Sequence, residues 1–258
     1  MKTEKIHVLN KAYLEAYLID TDTKRPAVII CPGGGYLLIS INESKPVAKR
    51  FNEKGYHAFV LKYSIKEDAR FELDKGVIPN PVKELSESIR ILRSNADKWG
   101  IDTDKIVVAG FSAGGHLALT LSSLKDYDLN KPDALVITYP LTDYRYSNKD
   151  WKVEKRGEII DMFKLKTELL FGSSEPSQEQ LMAFDVKTHV HPDMPPTFIW
   201  HAKQDRIVPY ESTVEFVEKL RSNNVNCEFH LFEEGVHGNP FYDDKWFDLA
   251  LNWLDRVL

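Results

Sequence analysis

Five short apolar runs punctuate the chain: PAVIICP (26–32), HAFVLKYS (57–64), KIVVAG (105–110), ALVITYP (134–140) and PTFIWHA (196–202). Each predicts a buried strand. Amphipathic stretches lie between them. ESKPVAKRFNEKG (43–55) has helical spacing and a glycine stop. PVKELSESIRILRSNADKWG (81–100) predicts one helix, with Pro81 at its start, Val82, Leu85, Ile89 and Leu92 on one face, and Gly100 at its end. Further helices are expected from Ala113 to about Leu124, near 163–171, 177–184 and 210–222, and over 242–257, with a strand near 226–232. Residues 4–20 read as two short strands joined near Asn10–Lys11. This alternation predicts an α/β fold: a mostly parallel central sheet with helices on both faces and the first strand pair as an antiparallel edge. No internal repeat or low-complexity linker interrupts it. The expectation is a single domain over residues 1–258, with the polar, aromatic segment at about 141–195 inserted as a small cap.

The charge pattern narrows the partners. The chain of 258 residues carries a formal net charge of −5, and its charged residues are mixed, with no basic stripe. This argues against nucleic acid and anionic membrane as partners. The N-terminus, MKTEKIHVLNKAYLEAYLID, has no long apolar run after its lysines. Neither a signal peptide nor a transmembrane span is expected, and the default location is cytoplasmic. Cys31 and Cys227 read as reduced, packed thiols, with no disulfide framework or zinc spacing.

One helix start breaks the usual rules. In IVVAGFSAGGHLAL (106–119) a strand runs into Gly-Phe-Ser-Ala-Gly-Gly, and two glycines fall in the first turns of the next helix. Each costs that helix about 1 kcal/mol relative to alanine. Gly110-Phe111-Ser112-Ala113-Gly114 matches G-x-S-x-G, in which a serine sits on a strained strand-to-helix turn and neighbouring side chains would collide. Three fixed residues match by chance in about one chain in ten of this length, so the motif counts only with its context. The preceding strand and following helix supply it. The helix N-terminus behind Ser112 favours developing negative charge.

Acyl transfer through a serine also needs donors for an oxyanion, and a base. CPGGGY (31–36) follows an earlier strand, and its glycines let backbone N–H groups approach a ligand closely. The candidate donors are Gly34, Gly35 and Ala113. A phosphate loop is disfavoured, because the lysine-serine ending and the G-x-G-x-x-G spacing are absent. Of eight histidines, His116 is expected to pack, His230 to face outward and His201 to make a structural hydrogen bond, whereas His189 and His191 are not excluded by pattern. His237, in the glycine-flanked loop EEGVHGNP between the last strand and helix, is the candidate base. Asp205, after the penultimate strand, is the candidate acid, with Asp143 in YPLTD as its rival. The chain order Ser112, Asp205, His237 is that of α/β hydrolases.

On PGGGY, GFSAGGH, the D-R-I-V-P segment and GVHG, the chain resembles the α/β-hydrolase superfamily over nearly its whole length, and within it the acetyl esterase and acetylxylan esterase-like group related to hormone-sensitive lipase. The resemblance implies an α/β-hydrolase fold and a serine carboxylesterase for short, often acetyl, esters and acetylated sugars. It implies catalysis by Ser112, Asp205 and His237, with Gly34, Gly35 and Ala113 as the oxyanion hole. Pro32 stands where the related lipases carry histidine, so their acyl-chain preference does not transfer. The chemistry requires no metal or organic cofactor. The expected partner is a small-molecule ester. Tyr36 and Tyr144, with Tyr146, Trp151, Phe163 and Phe171, are candidates for stacking on substrate. A formamidase or small amidase, a peptidase and a non-catalytic binding protein of the same fold remain alternatives. Trp246, Phe247, Leu251 and Trp253 equip the last helix either to cover the sheet or to form a homodimer face.

Overall fold

The structure, a computed structural model, describes residues 2–125, 127–155 and 157–258. The chain opens with β1 (Lys2–His7) and β2 (Tyr13–Leu18), then β3 (Arg25–Cys31), α1 (Lys45–Glu53) and β4 (His57–Lys62). Next come α2 (Asn80–Ser94), α3 (Ala96–Trp99), β5 (Ile101–Phe111), α4 (Ala113–Ser123) and β6 (Ala134–Thr138). A hairpin of β7 (Lys152–Lys155) and β8 (Glu158–Asp161) precedes α5 (Met162–Phe171) and α6 (Gln178–Phe184). The chain closes with β9 (Thr197–Ala202), α7 (Glu211–Ser222), β10 (Cys227–Phe232) and α8 (Lys245–Val257).

Eight strands form one sheet in the order β1-β2-β4-β3-β5-β6-β9-β10. The first two form the expected antiparallel edge, and β4, β3, β5, β6, β9 and β10 are mutually parallel. β6 and β9 are buried along their whole length, as their unbroken apolar runs require. Helices cover both faces. Val82, Leu85 and Ile89 of α2, Leu117 and Leu121 of α4, and Phe216 and Leu220 of α7 pack in one core. Val47 and Phe51 of α1 and Trp246, Phe247 and Trp253 of α8 pack in the other. The last helix therefore covers the sheet with its aromatic face, the first of the two readings open for it. Among the described residues, no helix is long and apolar enough to cross a membrane.

Two local readings need correction. The helix expected over 81–100 is two helices. Its break at Asn95 has a cause: the Asn95 Nδ2 donates to the Ile91 carbonyl at 2.9 Å, a side-chain partner that competes with continued helix. Gly100 then ends the second helix at φ +67°. The β7–β8 hairpin was also unforeseen. Its residues are mostly exposed, so no apolar periodicity marks it.

The glycines after β5 have a steric explanation. A Cβ at Gly114 would lie 1.9 Å from the Cys31 carbonyl oxygen and 2.6 Å from that of Pro32. A Cβ at Gly110 would lie 2.6 Å from the Gly114 carbonyl oxygen. All eleven residues of α4 are buried, and the helix can lie against the end of β3 only if these positions carry no side chain. Gly114→Ala is thus expected to destabilise by upward of about 3 kcal/mol, beyond ordinary overpacking, because the obstructing atoms are backbone. Gly76→Ala, at φ +74° in open space, should cost only about 1–2 kcal/mol. Thermal denaturation of both variants checks this, and equal losses would contradict it.

Candidate active site

The C-terminal ends of the parallel strands bring the candidate residues together. The chain leaves β3 for β4 on one side and resumes at β5 on the other, so the loops after β3 and β5 flank a topological switch point, where ligands bind in open α/β sheets. Gly33–Gly35 follow β3, Ser112 follows β5, Asp205 follows β9 and His237 follows β10.

Ser112 sits at φ +50°, in the left-handed region that a non-glycine residue adopts only under local constraint. Its Oγ is 2.9 Å from the His237 Nε2. The His237 Nδ1 lies 2.6 Å from the Asp205 Oδ2. Since a carboxylate only accepts, Nδ1–H is the donor, and the bare Nε2 is left to accept from the Ser112 hydroxyl. Asp205 is nearly fully buried and saturated. Its Oδ1 accepts from the N–H groups of Ile207 and Val208 at 2.9 Å each, and its Oδ2 also accepts from the His201 Nε2 at 3.1 Å. Burial pushes the Asp205 carboxyl up, but the hydrogen bonds donated by His201 and His237 outweigh it and hold the group well below the usual carboxylate range.

His201 makes the structural hydrogen bonds expected of it, and its Nδ1 accepts from the Thr213 hydroxyl at 2.9 Å. His116 packs as expected. It is fully buried, stacked on Phe184 with centroids 3.8 Å apart, and burial pulls it down to about 4. His189 and His191 lie elsewhere, His189 against the Ala183 carbonyl and His191 beside Asp193. The rival acid Asp143 is spent on Arg145, at 2.6 Å, and on Lys187.

The loop after β3 offers free donors. Among the described residues, no hydrogen bond uses the N–H groups of Gly34, Gly35 or Ala113, and all three residues line the same pocket as Ser112 and His237. The pocket holds about 720 Å³. Gly34 stands at φ +124°, and a Cβ there would lie 2.1 Å from the Leu38 carbonyl oxygen, so only glycine fits. The loop is tied down by Glu43, which sequence reasoning missed. This carboxylate is buried, accepts from the Gly33 N–H at 2.7 Å and accepts from the Tyr139 hydroxyl at 2.7 Å. The Tyr139 ring in turn packs on His237, centroids 4.8 Å apart. Glu43 lies ten residues after Gly33, outside the motif itself, and nothing in its neighbours marks it.

The aromatic expectations need correction. Tyr36 is buried beneath the pocket, its hydroxyl 2.8 Å from the His116 Nδ1 and its ring packed against Tyr63 and Phe71. Tyr144 is buried among Phe163, Phe171 and Phe184, with its hydroxyl 2.6 Å from the Thr167 Oγ1. Neither lines the pocket. Of the aromatic residues singled out, Trp151 alone is among the lining residues, joined there by Ser147, Asn148 and Lys166 from the 141–195 segment. Tyr144, Phe163 and Phe171 are consumed in packing against one another, and the Tyr146 hydroxyl donates to Glu215 at 2.6 Å. Among the described residues, no group of three or more His, Cys, Asp or Glu side chains converges to hold a metal ion.

Comparison with known proteins shows the family to which the chain belongs. The BD-FAE family model matches residues 14–220. The endo-1,4-beta-xylanase B of Butyrivibrio fibrisolvens is 31% identical over 91% of this chain and 35% of its own length. The acetylxylan esterase of Xylanibacter ruminicola is 27% identical over 96% of this chain and 48% of its own. The chain thus spans between about a third and a half of the length of these two curated relatives. Among solved structures, MGS-M1, an alpha/beta hydrolase enzyme from a Medee basin deep-sea metagenome library, is 32% identical with a TM-score of 0.73, covering 100% of this chain and 98% of that one. The chain belongs to the BD-FAE family and to the α/β hydrolases.

Proposed function

We propose that the protein is a serine carboxylesterase that hydrolyses short acyl esters, acetyl esters foremost, including those of acetylated sugars. The observation that carries this reading is the continuous hydrogen-bond chain from the Ser112 Oγ through His237 to Asp205, ending in a pocket bordered by unused N–H groups. The acetylxylan esterase of Xylanibacter ruminicola supports the acetyl and sugar parts.

In this reading, the Ser112 Oγ attacks the ester carbonyl while the His237 Nε2 takes its proton. Asp205 holds the ring and stabilises the imidazolium across the 2.6 Å contact. The N–H groups of Ala113, Gly34 and Gly35 receive the oxyanion, and the N-terminus of α4 adds its dipole. The alcohol departs with the proton from His237. Water then attacks the acyl-enzyme by the same route and releases the acid. Glu43 acts as a positioning residue: by fixing Gly33 and Tyr139 it holds both the donor loop and the face of His237. Residues 141–195 serve as a cap, contributing Ser147, Asn148, Trp151 and Lys166 to the pocket wall opposite the triad.

Turnover of p-nitrophenyl esters from acetate to octanoate, with Ser112→Ala run alongside, tests this reading. Acetate should be fastest, rates should fall with chain length, and the variant should lose on the order of 10⁶ in kcat. Turnover of N-formylkynurenine with no ester turnover would move the reading to an amidase. Asp205→Asn should lower kcat by about 10⁴-fold. Because the folded-state pKa of Asp205 is depressed below the unfolded value of about 4, its stabilising contribution is complete above that pH and lost only in stronger acid. Asp205 should therefore stay ionised through mild acid, and a loss of native structure that begins above about pH 4 in the native protein but not in Asp205→Asn would contradict the assignment. Glu43→Gln leaves one of two donors without an acceptor, at about 1–3 kcal/mol. Steady-state kinetics should show kcat lowered at least tenfold with KM nearly constant.

A further inference from the structure

A cation without a counter-charge lies in the pocket. Lys166, on α5, is only 5% exposed, yet among the described residues its ammonium has a hydroxyl and two rings as neighbours and no carboxylate at ion-pair distance. Its ammonium makes one hydrogen bond, to the Ser147 Oγ at 3.2 Å, and stands 4.7 Å from the Tyr144 ring centroid and 5.8 Å from that of Trp151. An ammonium has three protons to donate, so part of its capacity is unspent. Lysine is almost never buried unless paired, and an apolar residue of similar length would fill this place at lower cost. Burial pulls the ammonium down to about 8, which leaves it charged at neutral pH.

The position of Lys166 is specific. A Cβ at Gly35 would lie 3.7 Å from the Lys166 Cδ and 3.7 Å from the Trp151 ring edge. Lysine and indole therefore stand side by side over the donor loop, in the pocket that holds Ser112 and His237. Trp151 is half-buried, so it presents ring surface to the cavity. Ser147 and Asn148 add polar groups to the same wall. The one carboxylate lining the pocket, Glu43, is already engaged by two donors. An aromatic face beside a desolvated cation and short polar side chains fits a sugar ring that carries a negative charge.

We propose that Lys166 and Trp151 form a subsite for an acidic sugar, so that the preferred ester is an O-acetylated saccharide whose uronate ring lies on the Trp151 indole with its carboxylate on the Lys166 Nζ. This inference rests on the esterase reading for the reaction but not for the binding. The subsite supplies ground-state recognition and takes no part in bond breaking.

Acetate release from an acetylated methyl glucuronoside and from the matching methyl glucoside tests the turnover. The native enzyme should favour the acidic sugar at least tenfold in kcat/KM, chiefly through KM. Lys166→Met should reduce that ratio to near one. Taking the ratio within each variant cancels any general loss of rate. The melting temperature of Lys166→Met should equal or exceed that of the native protein, since a buried unpaired charge has been removed. A clear fall in melting temperature with the ratio preserved would make Lys166 a structural residue and overturn the subsite. Equal kcat/KM on the two sugars in the native enzyme would overturn it as well. Binding of unacetylated methyl glucuronoside and methyl glucoside, read by calorimetry, separates the two levels. A tenfold preference for the acidic sugar that Lys166→Met abolishes, in a protein that hydrolyses no ester, would sink the esterase reading and keep the subsite.

Discussion

The structure turns on one close approach. At Gly114 the start of α4 lies against the carbonyls that end β3, with less room than a methyl group needs. That contact sets where the helix begins, and so where its unpaired N–H groups point. It forces the turn that holds Ser112 at φ +50°. It also sets the β3 loop, with Gly34 and Gly35, beside the same turn. A helix with better propensity at these positions would stand further from the sheet, and serine and donors would separate. The local cost of glycine is offset by the packing of α4, buried along its whole length.

Around that turn, the site is assembled by strand order. Ser112, Asp205 and His237 are far apart in the chain, but β5, β6, β9 and β10 are consecutive in the sheet and parallel, so the loops that follow them open on one edge. Asp205 is the most fully satisfied member. Two backbone N–H groups and two imidazoles converge on its carboxylate, which keeps it charged in a buried place. Glu43 does the corresponding work on the other side, joining the Gly33 N–H to the Tyr139 hydroxyl and thereby to the ring that packs on His237. The two carboxylates brace opposite flanks of the reacting groups.

The 141–195 segment is different in kind. Half of its aromatic residues are buried: Tyr144, Phe171 and Phe184 pack on one another and join the core that α4 shares. That packing holds α5 in place, and α5 carries Lys166 into the pocket. Tyr144, chosen from the sequence as a substrate contact, instead lies against the Lys166 ammonium.

The sheet, its antiparallel edge and the helices were legible because burial on both faces imposes long apolar runs on strands and a 3.6-residue stripe on helices. The grouping of Ser112, Asp205 and His237 was legible because each follows a strand and their order in the chain is constrained by the fold. Asp143 stayed a rival for the acid, since sequence cannot say which strand-end loop reaches the histidine; its pairing with Arg145 and Lys187 removes it. Glu43 and Lys166 were not legible. Both are polar residues whose burial comes from elements distant in sequence, and a charged side chain in a helix or loop looks the same whether it faces water or a pocket. By itself, the sequence determined which elements form and which groups can react, because those rest on local periodicity and steric demand. Tertiary structure alone decided which carboxylate holds His237, which ties down the loop after β3 and which cation is left in the pocket, because each depends on what the folded chain brings into contact.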